Sequence, residues 1–241
     1  MASNKKSDYS DLKLSVFFPA YNEQENIGKT VEKAVGVLKG LGLKDYEVIV
    51  VDDGSKDKTP QILKELQRKN SKIHVITHLP NKGYGEALKS GYYNSKFDWI
   101  VFTDSDGQFD FQEITKFLDL TNKYDVIWGY RIERQDSLLR KLNGWGWTFL
   151  SNLLLGFQVR DVDCAFRLIN KKVIDRIPHL ESTRGAMVSP ELLAKAKKAG
   201  FKITEIGVHH YERTAGEQTG ANLTVIFKSF AELFKLWWKL K

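Results

Sequence analysis

Several features that would assign this chain to a protein class are scarce or missing. A single cysteine among 241 residues excludes an internal disulfide framework and a cysteine-rich zinc site, and it favours a reducing compartment such as the cytoplasm. The sequence contains no P-loop, and Leu88 stands where a dinucleotide fingerprint beginning at Gly83 needs its third glycine. With 42% hydrophobic residues, the chain lacks the composition of a disordered protein. We therefore predict a folded domain that is not a standard dinucleotide-binding dehydrogenase.

Long apolar runs are also missing. The 18 residues from Leu142 to Val159 carry no charge, but polar residues and three glycines interrupt them, and a spanning helix needs about 20 predominantly apolar residues. Residues 223–240 instead place lysines on one helical stripe and Phe, Leu and Trp on the rest. This pattern is typical of an amphipathic helix at a membrane surface, and docking on the core or on a partner chain would produce it too.

The net charge of +7 is distributed unevenly. Residues 1–120 contain 17 basic and 18 acidic side chains, whereas residues 121–241 contain 20 and 12, together with five of the six tryptophans. Such segregation predicts that the second half faces an anionic partner, either a membrane or a nucleic acid. No recognised basic-aromatic motif supports nucleic acid, so we expect no nucleic-acid partner.

Hydrophobic periodicity alternates between strand and helix. This order predicts an α/β fold in which a mainly parallel sheet is flanked by helices, with ligands bound at the carboxyl ends of the strands. The predicted strands are residues 12–19, 46–51, 73–77, 98–103, 125–128 and 201–206, and the predicted helices are 27–41, 59–69, 85–95, 111–122, 140–156, 186–199 and 222–241. We expect a disordered tail at 1–11, a single domain at 12–220 with halves 12–128 and 129–220, and an amphipathic interfacial helix at 221–241.

Two carboxylates follow the apolar strand predicted at 98–103. Asp104 and Asp106 are spaced i and i+2, so they project to the same side at the edge where α/β sheets bind ligands. They would repel each other unless a cation lay between them, and Mg²⁺ is usually held by one or two carboxylates plus substrate phosphates. Asp-x-Asp is also common in ordinary polar loops, so the pattern alone leaves that alternative open.

Polar groups also follow the first two predicted strands, at residues 19–23 and 51–55. Carboxylates there can accept hydrogen bonds from a nucleotide base and from ribose hydroxyls. Residues 55–59 could equally form only a turn and a helix cap, because Asp, Ser and Thr favour such places.

Six ordered segments together resemble the inverting family 2 glycosyltransferases of GT-A fold, in particular the dolichyl-phosphate mannose synthase-like, polyprenyl-phosphate glycosyltransferase branch. These segments are residues 19–23, 51–55, 81–85, 104–108, 129–131 and 161–167. The resemblance implies metal-dependent transfer of a hexose from a nucleotide sugar, of the GDP-mannose or UDP-glucose type, to a polyprenyl or dolichyl phosphate. The enzyme would be cytoplasmic and attached peripherally to the membrane, with residues 12–128 binding donor and metal and 129–220 binding acceptor. A homo-oligomer is left open.

The resemblance also implies roles for individual residues. Residues that would hold the nucleotide or lie near it are Pro19, Tyr21, Glu23, Asp52, Asp53, Lys82 and Gly83. Asp104 and Asp106, with Gln108 beside them, would hold Mg²⁺ or Mn²⁺ on the diphosphate. Arg131, Arg167 and Arg213 would contact phosphate groups of donor or acceptor, a role that suits a planar and permanently charged side chain. Residues 213–220 are expected to form a mobile lid or a plain surface loop.

The acceptor decides whether a general base is needed. A lipid phosphate is already nucleophilic at neutral pH, whereas a hydroxyl acceptor would require a base, for which Asp161, Asp163 and Glu191 are candidates by position. Glu191 follows Pro190 and fits equally well as a carboxylate at the start of a helix. A non-catalytic homologue that binds nucleotide sugar or membrane is a further alternative.

Overall fold

The structure is a computed structural model that describes residues 8–132, 138–183, 185–213 and 223–241. Its strands are β1 Lys13–Ala20, β2 Asp45–Asp52, β3 Ile73–Thr77, β4 Trp99–Thr103, β5 Val126–Ile132, β6 Phe166–Asn170 and β7 Ile203–His209. Its helices are α1 Ile27–Gly40, α2 Thr59–Lys69, α3 Tyr84–Asn94, α4 Ile114–Leu118, α5 Leu138–Leu155, α6 Lys171–Arg176, α7 Gly185–Lys198 and α8 Leu223–Leu240.

The seven strands form one sheet in the order β3-β2-β1-β4-β6-β5-β7. β6 runs antiparallel to both β4 and β5, and the other paired strands are parallel. This architecture confirms the predicted α/β class with a mainly parallel sheet flanked by helices. The carboxyl ends of β1, β2 and β4 therefore meet at one edge, where ligands of such sheets bind.

The sequence did not single out β6 or the short helix α6 that follows it. β6 has only five residues, and Arg167 lies inside it, so neither a long apolar run nor clean alternation marks the strand. The register places Arg167 beside Phe102 of β4 and Trp128 of β5. These two aromatic neighbours explain why an arginine is accommodated in the middle of the sheet.

Other predicted boundaries differ from the structure as well, and β7, for example, runs from Ile203 to His209 rather than over residues 201–206. β5 continues to Ile132, so residues 129–131 lie within the strand rather than after it. The helix predicted at 111–122 is a 3-10 turn, Phe111–Glu113, followed by the single short helix α4. Asp110 caps this turn, because its side chain accepts a hydrogen bond from the backbone N–H of Gln112.

The tail predicted at 1–11 extends too far along the chain. Residues 8–11 are described, and the Tyr9 side chain is buried, with its hydroxyl donating to Asp119 Oδ1 at 2.7 Å. Burial of an aromatic ring with a satisfied hydroxyl holds this segment on the domain. Residues 1–7 lie outside the described residues.

α8 packs on the domain, against α5 and α7. Leu233 and Leu236 of α8 are buried, and the Phe230 ring meets Trp147 of α5 edge-on at 5.4 Å. Docking on the core, one of the alternatives for this helix, is therefore observed for its inner face. Within the described residues we find no helix with the length and apolar content needed to cross a bilayer.

Candidate active site

Asp104 lies directly after β4, at the carboxyl edge of the sheet. β4 is buried along its whole length, so the first polar side chain after it emerges at the edge. Tyr84, the first residue of α3, donates its hydroxyl hydrogen to Asp104 Oδ1 at 2.7 Å. Desolvation of this hydroxyl and the nearby Asp104 charge raise the pKa of Tyr84 well above its usual value. Tyr84 therefore stays protonated and acts as a fixed donor to the carboxylate.

Asp104 and Asp106 form a carboxylate pair that is costly to ionise. Burial, followed by the negative charge of Asp106, raises the pKa of Asp104 to about 7. Burial also raises the pKa of Asp106, and the Glu23 charge adds to this effect. A cation between the two groups would remove the cost, and two carboxylates completed by phosphate or water oxygens are a donor set that suits Mg²⁺ or Mn²⁺. No cluster of three His, Cys, Asp or Glu side chains suited to a metal occurs among the described residues.

Arg213 lies next to these carboxylates although it is distant in sequence. One guanidinium nitrogen donates to Glu23 Oε1 at 2.5 Å, and another lies 3.8 Å from Asp106 Oδ2. Glu23 is held in turn by the side-chain amide of Asn26. The structure therefore brings together Glu23, Asp106 and Arg213, which the sequence assigned to separate nucleotide, metal and phosphate roles. Residues 214–220 of the predicted lid lie outside the described residues.

Gln108 joins the loop after β4 to the segment after β7. Its backbone N–H donates to Asp106 Oδ1 at 3.1 Å, and its side-chain amide donates to the Tyr211 carbonyl at 2.9 Å. The Tyr211 N–H donates back to the Gln108 carbonyl. Gln108 thus orients Asp106 through its backbone and positions the strand end that leads to Arg213.

Asp53 is buried and holds the loop before α3 in place through hydrogen bonds. Its carboxylate accepts hydrogen bonds from the backbone N–H groups of Lys82 and Gly83 at 2.9 and 2.8 Å. It also lies 2.7 Å from His78 Nδ1, and His78 Nε2 lies 2.9 Å from Ser90 Oγ. Asp53 is only 3% exposed, so it acts through the 81–83 loop rather than presenting its carboxylate at the surface.

Asp52 and the residues after β1 support the neighbouring part of the edge. Asp52 is buried and accepts a hydrogen bond from the Ser55 N–H at 3.0 Å. The loop after β1 is fastened to the loop after β2, since the N–H groups of Asn22 and Glu23 donate to the hydroxyls of Ser55 and Thr59. Ser55 and Thr59 thus fasten the two loops together, whereas the N-cap position of α2 is Lys58, which makes no side-chain cap hydrogen bond. Pro19 is buried within β1, whereas Tyr21 and Lys82 are exposed.

Arg131 and Asp161 form a bidentate ion pair near the Asp104 and Asp106 pair. Arg131 Nε and Nη2 donate to the two Asp161 oxygens at 2.6 and 2.8 Å. The positive charge of Arg131 acts to lower the pKa of Asp104, although burial and Asp106 outweigh it. Asp163, two residues beyond Asp161, is exposed.

Arg167 is buried beneath the site, and its Nη1 has no hydrogen-bond partner among the described residues, so its assignment as a phosphate contact stays a prediction. The side chain is 2% exposed, and its guanidinium carbon lies 3.8 Å from the centre of the Trp128 ring and 4.9 Å from that of Phe102. Its Nε donates to the Cys164 carbonyl at 2.8 Å. Arg167 is a buried cation held between two aromatic faces, and its charge reaches Asp104 only through the protein interior.

Glu191 is also buried and hydrogen-bonded inside the protein, which corrects its assignment as a general base. It is 1% exposed, and its carboxylate accepts hydrogen bonds from the backbone N–H groups of Glu181 and Ser182 and from Lys195 Nζ at 2.6 Å. These bonds hold the turn that precedes α7. Glu191 is therefore a structural carboxylate, but the predicted position at the start of a helix is wrong, because α7 begins at Gly185 and contains Pro190.

A cavity of about 1260 Å³ opens beside the carboxylate pair. Asp104 and Asp106 lie at one end, and the cavity follows the outer side of α1 past Thr30 and Lys33. The sequence did not indicate this groove, because it depends on how α1 and the 3-10 turn pack side by side.

Sequence reasoning missed three residues that organise the site: Tyr84, His78 and Tyr211. Tyr84 lies inside the quoted 81–85 segment, so its position was marked although its role was not. His78 and Tyr211 had no pattern that could have found them, since their partners are 25 and 103 residues away in sequence.

The chain matches the model of the Glycosyl transferase family 2 over residues 15–177. Glucosyl-3-phosphoglycerate synthase from Mycobacterium tuberculosis, solved with UDP, has a TM-score of 0.69 at 18% identity, with 94% of this chain and 80% of that chain covered. The structure of the same enzyme with Mn²⁺, UDP and glucosyl-3-phosphoglycerate has a TM-score of 0.68 at 18% identity, with 95% of this chain and 80% of that chain covered.

Mannosyl-3-phosphoglycerate synthase from Rubrobacter xylanophilus has a TM-score of 0.69 at 15% identity, with 93% of this chain and 73% of that chain covered. At such identities the likeness concerns the fold, and it confirms the GT-A architecture. The family match spans more than half of the chain and includes both strand-end carboxylate segments. The protein is therefore a glycosyltransferase that belongs to the Glycosyl transferase family 2.

Proposed function

We propose that this glycosyltransferase moves a hexose, with inversion and with a divalent metal, from a nucleotide sugar to a polyprenyl phosphate at the cytoplasmic face of a membrane. The observation that carries the proposal is the Asp104 and Asp106 pair, where the pKa of Asp104 is raised to about 7 by burial and by its partner. Such a pair gains most from a bound divalent cation and an attached diphosphate.

The donor site would be formed by the carboxyl edge of β1, β2 and β4. Asp104 and Asp106 would hold Mg²⁺ or Mn²⁺, and the ion would supply charge neutralisation on the leaving diphosphate. Tyr21 and the 81–83 loop, held in place by Asp53, line the nucleotide side of this edge.

Arg213 and Arg131 provide the positive charge that the reaction needs. Arg213 already lies 3.8 Å from Asp106, so it is placed to bind an oxygen of the diphosphate as negative charge develops there. Arg131, fixed in orientation by Asp161, would bind the acceptor phosphate.

The state of the predicted bases favours a phosphate acceptor. Glu191 is enclosed by its hydrogen bonds, and Asp161 is paired in a bidentate manner with Arg131. A carboxylate paired with arginine is a weaker base than an open one. A polyprenyl phosphate needs no proton removed at neutral pH, so this arrangement suits it better than a hydroxyl.

A second candidate is transfer to the hydroxyl of a small phosphorylated acceptor. It is favoured by the solved structures of similar fold, whose names specify 3-phosphoglycerate as the group that is glycosylated. Asp163 is the exposed carboxylate that could then act as the base.

The test is product formation from radiolabelled GDP-mannose and UDP-glucose with Mn²⁺ and either a polyprenyl phosphate or 3-phosphoglycerate. We expect product with the polyprenyl phosphate, and a loss of about a hundredfold or more in Asp106→Asn. Asp110→Asn, which alters only the cap of the 3-10 turn, serves as the matched control. Full activity of Asp106→Asn would overturn the metal assignment, and product only with 3-phosphoglycerate would establish the second candidate.

A further inference from the structure

The outward side of α5 is apolar, which is unusual for a helix on a protein surface. Trp147, Thr148 and Ser151 face the interior and are buried. The opposite side carries four large apolar side chains that are all more than half exposed: Leu142 63%, Trp145 65%, Phe149 55% and Leu153 66%. Helical spacing places these four on one continuous ridge. The Trp145 and Phe149 rings stack on each other at 5.5 Å and find no cover within the described domain.

α8 lies beside α5 and has a similar outer ridge. With Leu233 and Leu236 buried against the domain, Phe234 remains 50% exposed and Trp238 74% exposed. Six large apolar side chains on two neighbouring helices amount to several hundred Å² of exposed apolar surface, and patches of that size are often functional.

The charges around these ridges favour an anionic lipid surface as the partner of this patch. α5 has no carboxylate in its 18 residues. α8 has one glutamate against three lysines, followed by Lys241, and of these lysines Lys239 is ion-paired with Glu181. Lys197 and Lys198 of α7 donate to the carbonyls of Gly156 and Leu240, which places two more cations at the ends of α5 and α8. Tryptophan and phenylalanine flanked by lysine is the composition of surfaces that rest in a lipid headgroup layer.

We propose that the outer ridges of α5 and α8 together dock on an anionic membrane, and we name this surface the lipid face. It consists of Leu142, Trp145, Phe149, Leu153, Phe234 and Trp238. α5 is the larger contributor, and α8 uses one side for the domain and the other for the membrane. The inference rests on the proposed lipid-linked acceptor, because membrane docking brings the enzyme to a substrate that remains in the bilayer.

The experiment measures flotation of the full chain with vesicles of phosphatidylcholine alone and of phosphatidylcholine with phosphatidylglycerol. We expect binding to the anionic vesicles that weakens with added salt. The double variant Trp145→Ser/Phe149→Ser removes the centre of the lipid face, and each lost aromatic should reduce partitioning by about tenfold. Because both side chains are exposed, the variant is expected to fold as the parent does.

The matched control is Leu79→Ser, which removes an 82% exposed leucine next to β3, at the opposite edge of the sheet. It should float like the parent protein. Equal flotation of the double variant and the parent would overturn the lipid face. The lipid face would also be overturned if the parent protein did not bind vesicles but formed a dimer that the double variant disrupts. The partner of this surface would then be a second copy of the chain.

A separate readout distinguishes this inference from the proposed function. Transfer to a short, water-soluble isoprenyl phosphate without vesicles should be unchanged in the double variant, since the lipid face does not touch the donor site. The parent protein could float in a way that depends on Trp145 and Phe149 and yet glycosylate no isoprenyl phosphate. That result would support the lipid face and refute the proposed acceptor.

Discussion

At the scale of single residues, the site is defined by carboxylates that have different tasks. Asp104 and Asp106 face each other at the sheet edge, and their raised pKa values leave them in need of a cation. Asp53 is satisfied internally and shapes a loop. Glu191 is enclosed as well. Residue type alone therefore does not identify function; what distinguishes the pair is that burial and mutual repulsion outweigh the donors around it and keep both pKa values raised.

Metal binding should depend on pH because of Asp104. Its pKa in the folded protein is raised to about 7 from an ordinary 3.8, so the proton is retained below about pH 7 and competes with the metal. We expect the affinity for Mn²⁺ without donor to fall about tenfold for each pH unit below 7 and to level off above it. Calorimetric titration would measure this, and an affinity that is constant from about pH 6 to about pH 8 would contradict it.

The raised pKa of Asp104 also determines how the stability of the metal-free protein depends on pH. A folded-state pKa above the unfolded value means that the protonated carboxyl is favoured in the folded state. Its contribution to the free energy of unfolding is complete below about pH 4 and is lost as the pH rises through about 7. Added Mn²⁺ should therefore stabilise the protein more at pH 8 than at pH 6.

His78 should influence donor binding without touching the donor. It lies 2.7 Å from Asp53, which holds the Lys82 and Gly83 amides. His78→Ala leaves a buried carboxylate with one partner fewer, and we expect a rise of about tenfold in KM for the donor with a smaller change in kcat. Ser90→Ala, which removes only the outer partner of His78, should have a weaker effect. A larger fall in kcat than rise in KM would argue against a positioning role.

At the scale of elements, the position of the site depends on how closely α3 approaches the sheet. Gly91 of α3 faces Phe17 of β1 so closely that an added Cβ would overlap the aromatic ring. This contact sets the distance of α3 from β1 and, through Tyr84 at the start of the helix, the position of the hydroxyl that binds Asp104. Glycine at this point is needed for packing and not for helix formation, which it weakens.

Gly91→Ala should destabilise the protein by about 1–3 kcal/mol, because overpacking outweighs the gain in helix propensity. Gly36→Ala on α1 is the matched control. A Cβ at Gly36 meets nothing within 4 Å, so that variant should be stabilised by up to about 1 kcal/mol. Urea unfolding of both variants measures the difference, and equal stability of the two would show that α3 can move away from the sheet.

Elements also show where sequence reasoning succeeds and fails. β1, β2, α1 and α2 were predictable because each has an uninterrupted apolar run or a clear helical period. The Asp104 and Asp106 pair was predictable because it follows such a strand. β6 was not, since its arginine is stabilised by Trp128 and Phe102 from other strands. Glu191 and Arg167 received functional roles because their local sequence cannot show that they are buried.

At the scale of the whole molecule, the two faces of the sheet differ in function. The face covered by α1 and α2 borders the groove beside the carboxylate pair. The other face is covered by α3, α5, α7 and α8, and its outer helices form the lipid face. The basic second half of the sequence thus corresponds to the side proposed to meet membrane, and this agrees with the uneven distribution of charge along the chain.

Donor and metal together should stabilise the entire domain, because the site joins elements from both ends of the chain. With both at about a hundred times their dissociation constants, each ligand contributes about 2.7 kcal/mol, so we expect a gain of about 5 kcal/mol, which corresponds to roughly 10–20 °C in Tm for a domain of this size. Thermal unfolding with Mn²⁺ and each nucleotide sugar measures the gain. Asp106→Asn should abolish the joint effect, and a gain from nucleotide sugar that is unaffected by this change would exclude the metal from donor binding.

The pairing of Arg213 with Glu23 spans 190 residues of sequence, and this has a consequence for biosynthesis. While the ribosome is still making the segment that contains β7, the edge formed by β1, β2 and β4 can fold but lacks its arginine. Glu23 and Asp106 then lack the positive charge of Arg213, and we expect the nascent domain to hold a nucleotide sugar poorly. Under the proposed function, catalytic competence would be acquired late in translation, once residue 213 has left the ribosome.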